Sequence, residues 1–401
     1  MSLRICWPVI SMTSKPQFGG ERVKVSDVFD LQMGKTPSRK NLEYWNNGDH
    51  EWVSIKDLGS YSKYVGTTKE TISELGRKES GIKPVPKDTL IMSFKLSLGK
   101  TAITTKETYT NEAIMAFLDR GEYSLDLEYM WHQFRTKNWE MGTNIAVMGK
   151  TLNKKTLGAS TICVPSILQQ QKIAMRLNFV QNLIDKALGE VKLLENLVKS
   201  RFVEMFGDID EWHSANMSEV CSIITDGTHQ PPKFVSEGIP FLFVSNIAGN
   251  VLTYETTKYV SEADYEILIK RIPIEVGDVL VSAVGSFGHP AVVRRSRPFC
   301  FQRHIAYLKP KRELIDSDYL HAVLLTDKAQ RYMDKVAKGV AQRTVTLKSF
   351  KEMMIPLPPL ELQQEFADFV AQVDKSGFAV RQQIEKLQLL YDSLAQEYFG
   401  D

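Results

Sequence analysis

The chain has 401 residues, of which 43% are hydrophobic and 24% charged, a composition typical of globular proteins with two or three domains. Its 50 basic and 48 acidic residues nearly cancel, so the net charge neither indicates nor excludes a nucleic-acid partner. Four widely spaced cysteines exclude a disulfide framework and a cysteine metal site, and no apolar run approaches the ~20 residues of a membrane helix. We therefore expect a reduced, cytoplasmic protein.

The first segment, residues 1–20, is predicted to be an N-terminal extension outside the folded domains. Pro8 interrupts its short apolar run, and no small-residue cleavage site follows. The run therefore does not match a secretory signal peptide.

Two related halves make up the rest of the chain. Residues 164–171 recur in similar form at 357–364, and the Phe-Gly-Asp sequence at 206–208 recurs at 399–401, in both cases 193 residues later. An internal repeat of this length predicts two copies of one structural unit.

Each half begins with a segment of mixed secondary structure, which we assign as domains at 21–160 and 209–358. Short β-branched and aromatic runs predict strands, and helical patches lie between them. The predicted strands include Asp88–Phe94, Asp278–Val284, Ala291–Arg294 and Ile305–Leu308, and the helical patches are Leu127–Arg135 and Ser317–Val336. The sequence therefore predicts an α+β fold with two related mixed α/β domains.

A long helix is predicted after each domain, within 161–208 and 359–401, because a proline-free stretch runs there from about Ser166 to Phe206 and from Leu360 to Phe399. Apolar residues alternate there by four and three positions, which indicates a coiled-coil seam. The seam residues are Ile173, Leu177, Val180, Ile184, Val191, Leu194 and Val198 in the first helix, and Phe366, Val370, Val373, Val380, Ile384, Leu387, Tyr391 and Leu394 in the second. We predict that the two helices pair within the chain as an antiparallel coiled coil with pseudo-twofold symmetry. The alternative is that each helix only caps its own domain.

No catalytic constellation is found in the sequence. Three Gly-Lys-Thr triplets lack the glycine that a phosphate-binding loop needs five residues earlier, and the seven histidines lack metal-hydrolase spacing. The Pro-Pro tetrapeptide of DNA amino-methyltransferases and a glycine-rich methyl-donor loop are also missing. We therefore predict that the chain has no catalytic residues, metal ligands or cofactor of its own.

Loops rich in basic and amide side chains occupy matching places in the two halves. Lysine and arginine neutralise phosphates, whereas arginine, glutamine, asparagine and histidine can read base edges. The candidate DNA-binding residues are Lys35, Thr36, Ser38, Arg39, Lys40, Lys95, Lys100, Lys150, Lys154, Lys155, Thr228, His229, Gln230, Lys233, His289, Gln302, Arg303, Gln342, Arg343 and Lys348. Solvated loops have the same composition, and the alternative for Arg343 is a surface ion pair with an acid such as Glu352.

Over residues 21–401 the chain resembles the DNA-specificity subunit of Type I restriction–modification systems. The resemblance is carried by Trp52–Asp57, by Gly277–Ser282, and by Ile355–Leu360 before Gln363 and Gln364. A weaker copy of the last motif lies at 162–171, where Cys163 and Ser166 depart from the pattern.

The resemblance implies two target-recognition domains, each reading one half of a bipartite site in double-stranded DNA. It implies that the paired helices act as a spacer and dock two DNA adenine methyltransferase subunits, and that motor-nuclease subunits can join them. S-adenosylmethionine is expected on those partners and not on this chain. The alternatives are a duplicated protein-binding scaffold and the recognition fragment of a self-sufficient restriction–methylation enzyme.

Overall fold

The structure is a computed structural model that describes residues 20–95, 97–139, 144–146, 149–209, 211–230, 232–270, 272–340 and 342–400. The predicted extension at 1–20 lies almost wholly outside the described residues. The chain forms two compact units. Unit 1 combines Met1–Leu188 with Gln382–Asp401, and unit 2 is Gly189–Arg381.

Unit 1 contains eleven strands and the first five short helices of the described chain. The strands are β1 (Glu21–Lys24), β2 (Phe29–Met33), β3 (Trp45–Val53), β4 (Glu70–Ile72), β5 (Leu90–Ser93), β6 (Thr101–Ile103), β7 (Tyr109–Thr110), β8 (Ile114–Asp119), β9 (Asn144–Ala146), β10 (Gly149–Thr151) and β11 (Thr161–Val164). The helices are α1 (Val25–Val28), α2 (Ile55–Leu58), α3 (Glu74–Ser80), α4 (Leu127–Thr136) and α5 (Lys154–Ala159). The long helix α6 (Ile167–Phe206) begins in unit 1 and ends in unit 2.

Unit 2 contains nine further strands and the helices that follow α6. The strands are β12 (Ser214–Asn216), β13 (Cys221–Asp226), β14 (Ile239–Leu242), β15 (Tyr259–Val260), β16 (Val279–Ser282), β17 (Pro290–Val292), β18 (Cys300–Phe301), β19 (Ile305–Pro310) and β20 (Met354–Pro356). The helices are α7 (Met217–Val220), α8 (Glu262–Ile269), α9 (Ser317–Leu324), α10 (Asp327–Val336) and α11 (Leu347–Lys351). The second long helix, α12 (Leu360–Phe399), begins in unit 2 and ends in unit 1.

The two larger sheets of each unit have the same strand order in both units, which confirms the internal repeat. Unit 1 has a four-stranded antiparallel sheet of order β2-β8-β5-β6 and a three-stranded sheet of order β4-β3-β7. Unit 2 repeats both orders, as β13-β19-β16-β17 and β15-β14-β18. In each three-stranded sheet the central strand pairs in parallel with one neighbour and antiparallel with the other.

The helical patch predicted at residues 317–336 is confirmed and is divided between two helices. The segment Ser317–Val336 forms two helices, α9 and α10, and not one. The helical segment is interrupted near Thr326, whose side chain accepts a hydrogen bond from Ala329 N and caps α10. A threonine at an N-cap satisfies an otherwise unpaired backbone donor and favours a new helix start.

The repeated Gln-Gln motif has a structural role in both units. Gln170 and Gln363 are completely buried and anchor the start of a long helix to the start of a short one. The side-chain oxygen of Gln170 accepts from Asp126 N at 2.8 Å, and that of Gln363 accepts from Asp316 N at 2.9 Å. Asp126 and Asp316 are the N-caps of α4 and α9.

The long helices pair in an antiparallel way, as predicted. In unit 1 the first half of α6 packs with the last half of α12, because Leu177 and Tyr391 belong to one buried cluster. In unit 2 the second half of α6 packs with the first half of α12, where the Phe202 and Phe366 rings lie 5.6 Å apart. The buried seam residues are Ile173, Leu177, Val180, Ile184, Tyr391, Phe366, Val370 and Val373, whereas Val191, Leu194, Val198, Val380, Ile384, Leu387 and Leu394 are partly buried.

No helix in the described part of the chain is long and apolar enough to cross a membrane. Among the same residues, no group of three or more histidine, cysteine or acidic side chains is arranged to hold a metal ion.

Candidate nucleic-acid interface

The loops at one edge of each four-stranded sheet form a continuous surface. In an antiparallel sheet the end of one strand lies beside the start of its neighbour. The ends of β2 and β5 therefore lie beside the start of β8, and those of β13 and β16 beside the start of β19. We call these surfaces the loop edges, formed by 34–36, 93–95, 111–113 and 152–155 in unit 1 and by 227–230, 283–289, 302–304 and 342–344 in unit 2.

Backbone hydrogen bonds join the four segments of the unit 2 loop edge into one row. Arg303 N donates to Thr228 O at 3.1 Å, and Ala283 N donates to His304 O at 2.8 Å. Gly285 N donates to Arg343 O at 2.9 Å. The structure therefore brings together the predicted residues near His229, Arg303, His289 and Arg343, although they are far apart in sequence.

The unit 1 loop edge is assembled by bonds that recur in unit 2, where Thr228 N donates to Phe301 O, Ala283 N to His304 O and Val345 N to Ala283 O. Lys35 N donates to Thr110 O at 2.8 Å, Phe94 N to Ala113 O at 3.0 Å, and Leu152 N to Phe94 O at 3.1 Å. The two loop edges thus share a backbone frame, and their side chains differ.

A glycine at the same place in each unit allows the first two loops to touch. A Cβ atom on Gly34 would lie 2.2 Å from Thr110 O, and one on Gly227 would lie 2.2 Å from Phe301 O. Real Cβ atoms do not approach backbone oxygens so closely, so any larger residue would push the loops apart. The glycines therefore fix the spacing of the candidate readers that follow them.

Several candidate side chains of unit 2 are exposed and without a side-chain partner within the described residues: Gln230, Lys233, Arg303 and Gln342. Gln302 is half-buried beside Arg303, and the Thr228 hydroxyl donates to Gln230 O at 2.8 Å. An exposed guanidinium with no competing acid has all its donors available for a phosphate or a guanine edge. Among the candidates of this unit, Arg303 is therefore the arginine whose donors are all available for a ligand.

The other candidates of unit 2 already have partners. His229 Nε2 lies 3.1 Å from Asp226 Oδ1, and His289 contacts Ser286 Oγ at 3.1 Å and Asn250 Oδ1 at 3.0 Å. To bind a ligand, these side chains would have to give up a contact within the protein.

Arg343 forms a surface ion pair, as in the alternative to base reading, but its partner is Asp334 and not Glu352. Its Nη1 donates to Asp334 Oδ1 at 2.7 Å, and its guanidinium lies 5.3 Å from the centre of the Phe287 ring. Glu352 is instead 3.7 Å from the Lys348 ammonium, one helical turn away. Both groups of the Arg343–Asp334 pair are largely exposed, and exposed pairs contribute only about 0–1 kcal/mol. Arg343 is therefore held by a weak ion pair and by a second hydrogen bond, from Nη2 to the backbone oxygen of Asp334.

Most of the candidates that follow β2 in unit 1 are bound within the protein. Arg39 makes a two-point ion pair with Glu70, one contact of which is 3.0 Å, and lies 3.7 Å above the Trp45 ring. Lys35 donates to Ser80 O, and Ser38 O accepts from the Trp45 indole at 3.2 Å. These contacts stabilise the loop.

Other unit 1 candidates are open to solvent. Lys40, Lys100, Lys154 and Lys155 are exposed, with no partner for the ammonium group in the described structure, whereas Lys95 is half-buried 5.2 Å from the Phe94 ring. The side chain of Lys150 lies outside the described residues.

Two residues of the unit 1 loop edge, Asn111 and Glu112, were not predicted as site residues. Glu112 is exposed and accepts hydrogen bonds from the Thr36 hydroxyl and from Asn111 Nδ2, the latter at 2.9 Å. The alignment of the repeat places Glu112 opposite Arg303, and that signal could have identified it. The two loop edges therefore present opposite charges at one matching position.

His304, which follows Arg303 in the unit 2 loop edge, does not add to the positive charge of that surface. Burial, together with the positive charge of Arg303, lowers the pKa of His304. His304 is therefore neutral near pH 7.

The sequence matches the profile of the family "Type I restriction modification DNA specificity domain" twice, over residues 19–193 and 209–388. The chain is similar to the MjaIX and MjaVIII Type I restriction enzyme specificity subunits of Methanocaldococcus jannaschii. The two are 23% and 22% identical to it, each over 92% of this chain, and the matches cover 90% and 89% of those proteins. A crystal structure of the S subunit of a Type I restriction–modification system from M. genitalium aligns over 95% of this chain and 96% of its own, with 14% identity and a TM-score of 0.49.

The two profile matches, one on each copy of the repeat, together span most of the chain. The chain therefore belongs to the Type I restriction–modification DNA specificity family.

Proposed function

We propose that this chain recognises a bipartite site in double-stranded DNA, with one half-site read by the loop edge of each unit. The observation that carries the proposal is the duplicated frame of hydrogen-bonded loops, which presents different side chains in the two units. A shared frame gives both surfaces the same mode of approach to DNA. Different side chains at matching positions give them different base preferences.

The contrast between Arg303 and Glu112 supports two unlike half-sites. Arginine suits the O6 and N7 acceptors of guanine, whereas a carboxylate accepts from the amino group of cytosine. The half-sites are therefore expected to differ in sequence, and we do not expect a palindrome.

The long helices are proposed to dock DNA methyltransferase subunits. On α6 in unit 1, Leu168, Met175 and Phe179 are 67%, 66% and 66% exposed, and their spacing of seven and four residues places them on one face. Large apolar side chains grouped in solvent mark a protein interaction surface. Phe179→Asp is expected to weaken assembly with the methyltransferase at least tenfold in a titration, whereas the exposed polar Asn182→Asp is not.

In this proposal the partner subunits, and not this chain, carry out the methylation and cleavage of DNA. S-adenosylmethionine binds to two methyltransferase subunits that modify adenine, a motor-nuclease subunit can join them, and the complex acts on DNA in the cytoplasm. The full chain alone is then expected to bind no methyl donor, and calorimetry showing micromolar binding would contradict this part.

The test of the proposal is a selection from random double-stranded DNA by the chain assembled with its methyltransferase. The expected product is a motif in two unlike parts, separated by a gap of fixed length without sequence preference. Selected DNA without a shared motif would overturn the proposal and favour the protein-binding scaffold.

A further inference from the structure

Unit 1 contains a basic groove that lies beside the loop edge. Its volume is about 870 Å³, and its lining includes Lys24, Lys83, Arg120, Lys154 and Lys155 but only one acid, Asp30. Residues 1–160 carry 23 basic and 18 acidic side chains, so the groove gathers much of this local surplus.

The four lysines of the groove are available for a ligand. All four are exposed, and none has a partner for its ammonium group within the described residues. Arg120 is already engaged, because its Nη1 donates to Ser26 O at 3.0 Å and its Nε lies 3.9 Å from Asp30. The unpaired charge therefore belongs to the lysines.

The groove follows β2, the outer strand of the four-stranded sheet. At the loop-edge end, Gln32 Nε2 donates to Pro84 O at 2.8 Å and places Lys83 beside Met33. At the other end, Phe29 pairs with Asp119, next to Arg120. Five strand residues span about 17 Å, so the groove leads away from the proposed reading surface.

The matching positions of unit 2 carry less free charge. Lys311, which matches Arg120, donates to Glu219 O at 2.7 Å, and Lys348, which matches Lys155, lies 3.7 Å from Glu352. Asn216 and Leu347 occupy the places of Lys24 and Lys154. At the positions compared, the unpaired lysine charge is thus found in unit 1 and not in unit 2.

We propose that the basic groove binds the sugar–phosphate backbone of duplex DNA next to the half-site of unit 1, without regard to base sequence. Lysine ammonium groups are point charges that neutralise phosphates and do not select a base. One DNA strand carries a phosphate every ~3.4 Å of helix axis, so about five phosphates match the length of β2. The inference rests on the proposed function and assigns the two units unequal shares of the salt-dependent affinity.

The test uses Lys24→Ala/Lys83→Ala in the full chain assembled with its methyltransferase. The control is Lys56→Ala/Lys69→Ala, which removes two exposed lysines of unit 1 outside the groove. Two lost phosphate contacts lower the slope of log K against log salt by about 1.8. Between 50 and 200 mM salt the groove variant is then expected to lose about twelvefold less affinity than the unmodified chain, with its preference for both half-sites unchanged. The control is expected to keep the original slope.

A second measurement locates the contacts. DNA with neutral methylphosphonate linkages beside the unit 1 half-site is expected to bind the unmodified chain more weakly than ordinary DNA does. The same linkages are expected to cause a smaller loss of affinity for the groove variant, which already lacks two of the four groove lysines. Equal losses for both proteins, or an unchanged salt slope in the variant, would overturn the inference while leaving two-part recognition intact.

Loss of methyltransferase assembly with unchanged DNA affinity would also overturn it, because the groove would then bind protein. An unmodified complex with no sequence preference at all would instead refute the proposed function.

Discussion

Replacing Gln363 by leucine tests whether the repeated Gln-Gln motif holds a long helix to its unit. The side chain is completely buried, and its oxygen accepts from Asp316 N at 2.9 Å. Its amide nitrogen donates to Pro358 O at 2.9 Å and to Leu314 O at 3.3 Å. Leucine has similar size and fills the space, so the substitution removes these bonds without opening a large cavity.

The expected loss follows from the groups left behind. Each hydrogen bond contributes about 1 kcal/mol, and a buried donor or acceptor left unpaired costs about 1–3 kcal/mol. We therefore expect Gln363→Leu to lower the unfolding free energy of unit 2 by about 3–5 kcal/mol. The matched control is Gln364→Leu, because Gln364 is the exposed neighbour in the same motif, and its change is expected to stay within about 0.5 kcal/mol.

Urea unfolding of the full chain measures the loss, and hydrogen exchange assigns it to a unit. Two units can unfold in separate steps, so exchange should become faster in α9, which Asp316 caps, and stay unchanged in α4. Equal stability of the Gln363 and Gln364 variants, or faster exchange in both short helices, would refute this role of the motif.

Three further outcomes are expected. Burial lowers the pKa of His132 to about 4, below the ~6.5 of an unfolded histidine. Its neutral form therefore stabilises the fold fully above pH 6.5, and about 3 kcal/mol is lost as the pH falls from 6.5 to 4; His132→Gln should flatten this dependence in unfolding measured at pH 7.5 and 4.5. Leu387→Asp places a charge in the helix seam and should cost several kcal/mol in thermal unfolding, whereas Leu389→Asp, at a residue 70% exposed, should cost less than ~0.5 kcal/mol. Arg343→Ala should weaken binding of one half-site by about 1–3 kcal/mol, whereas Asp334→Ala, which removes the carboxylate partner of Arg343 but keeps the backbone acceptor, should not weaken it; equal losses would mean that the ion pair only shapes the loop.

The fold could be predicted because its signals are periodic or repeated. The four-and-three spacing that includes Leu177 and Tyr391 describes a local helix face, and any such face must be buried. From the 193-residue offset of the repeat, the pairing of the two long helices and the correspondence between the strands of the two units could then be predicted. None of these inferences required knowledge of a contact between residues remote in sequence. They required only the assumption that the two halves fold alike.

The state of the candidate readers could not be predicted, because it depends on contacts formed only in the folded chain. Arg39 meets Glu70, 31 residues away, and the Trp45 ring. Arg343 meets Asp334 across a turn whose direction the sequence does not specify. The amino-acid composition identified the loops. Only the tertiary structure distinguishes the side chains that stabilise these loops through contacts within the protein from those that remain available to bind a ligand, such as Arg303.

The most direct test of two-part recognition removes the free reader of one unit and measures both halves of the site. The double variant Gln302→Ala/Arg303→Ala, assembled with the methyltransferase, is titrated with the intact site and with sites in which either half is scrambled, at 0.1 and 0.3 M salt. We expect the variant to lose about 5- to 150-fold of its discrimination at the unit 2 half-site, equivalent to about 1–3 kcal/mol, and to keep full discrimination at the other half. Equal losses at both halves, or none at either, would contradict the assignment of one half-site to each unit.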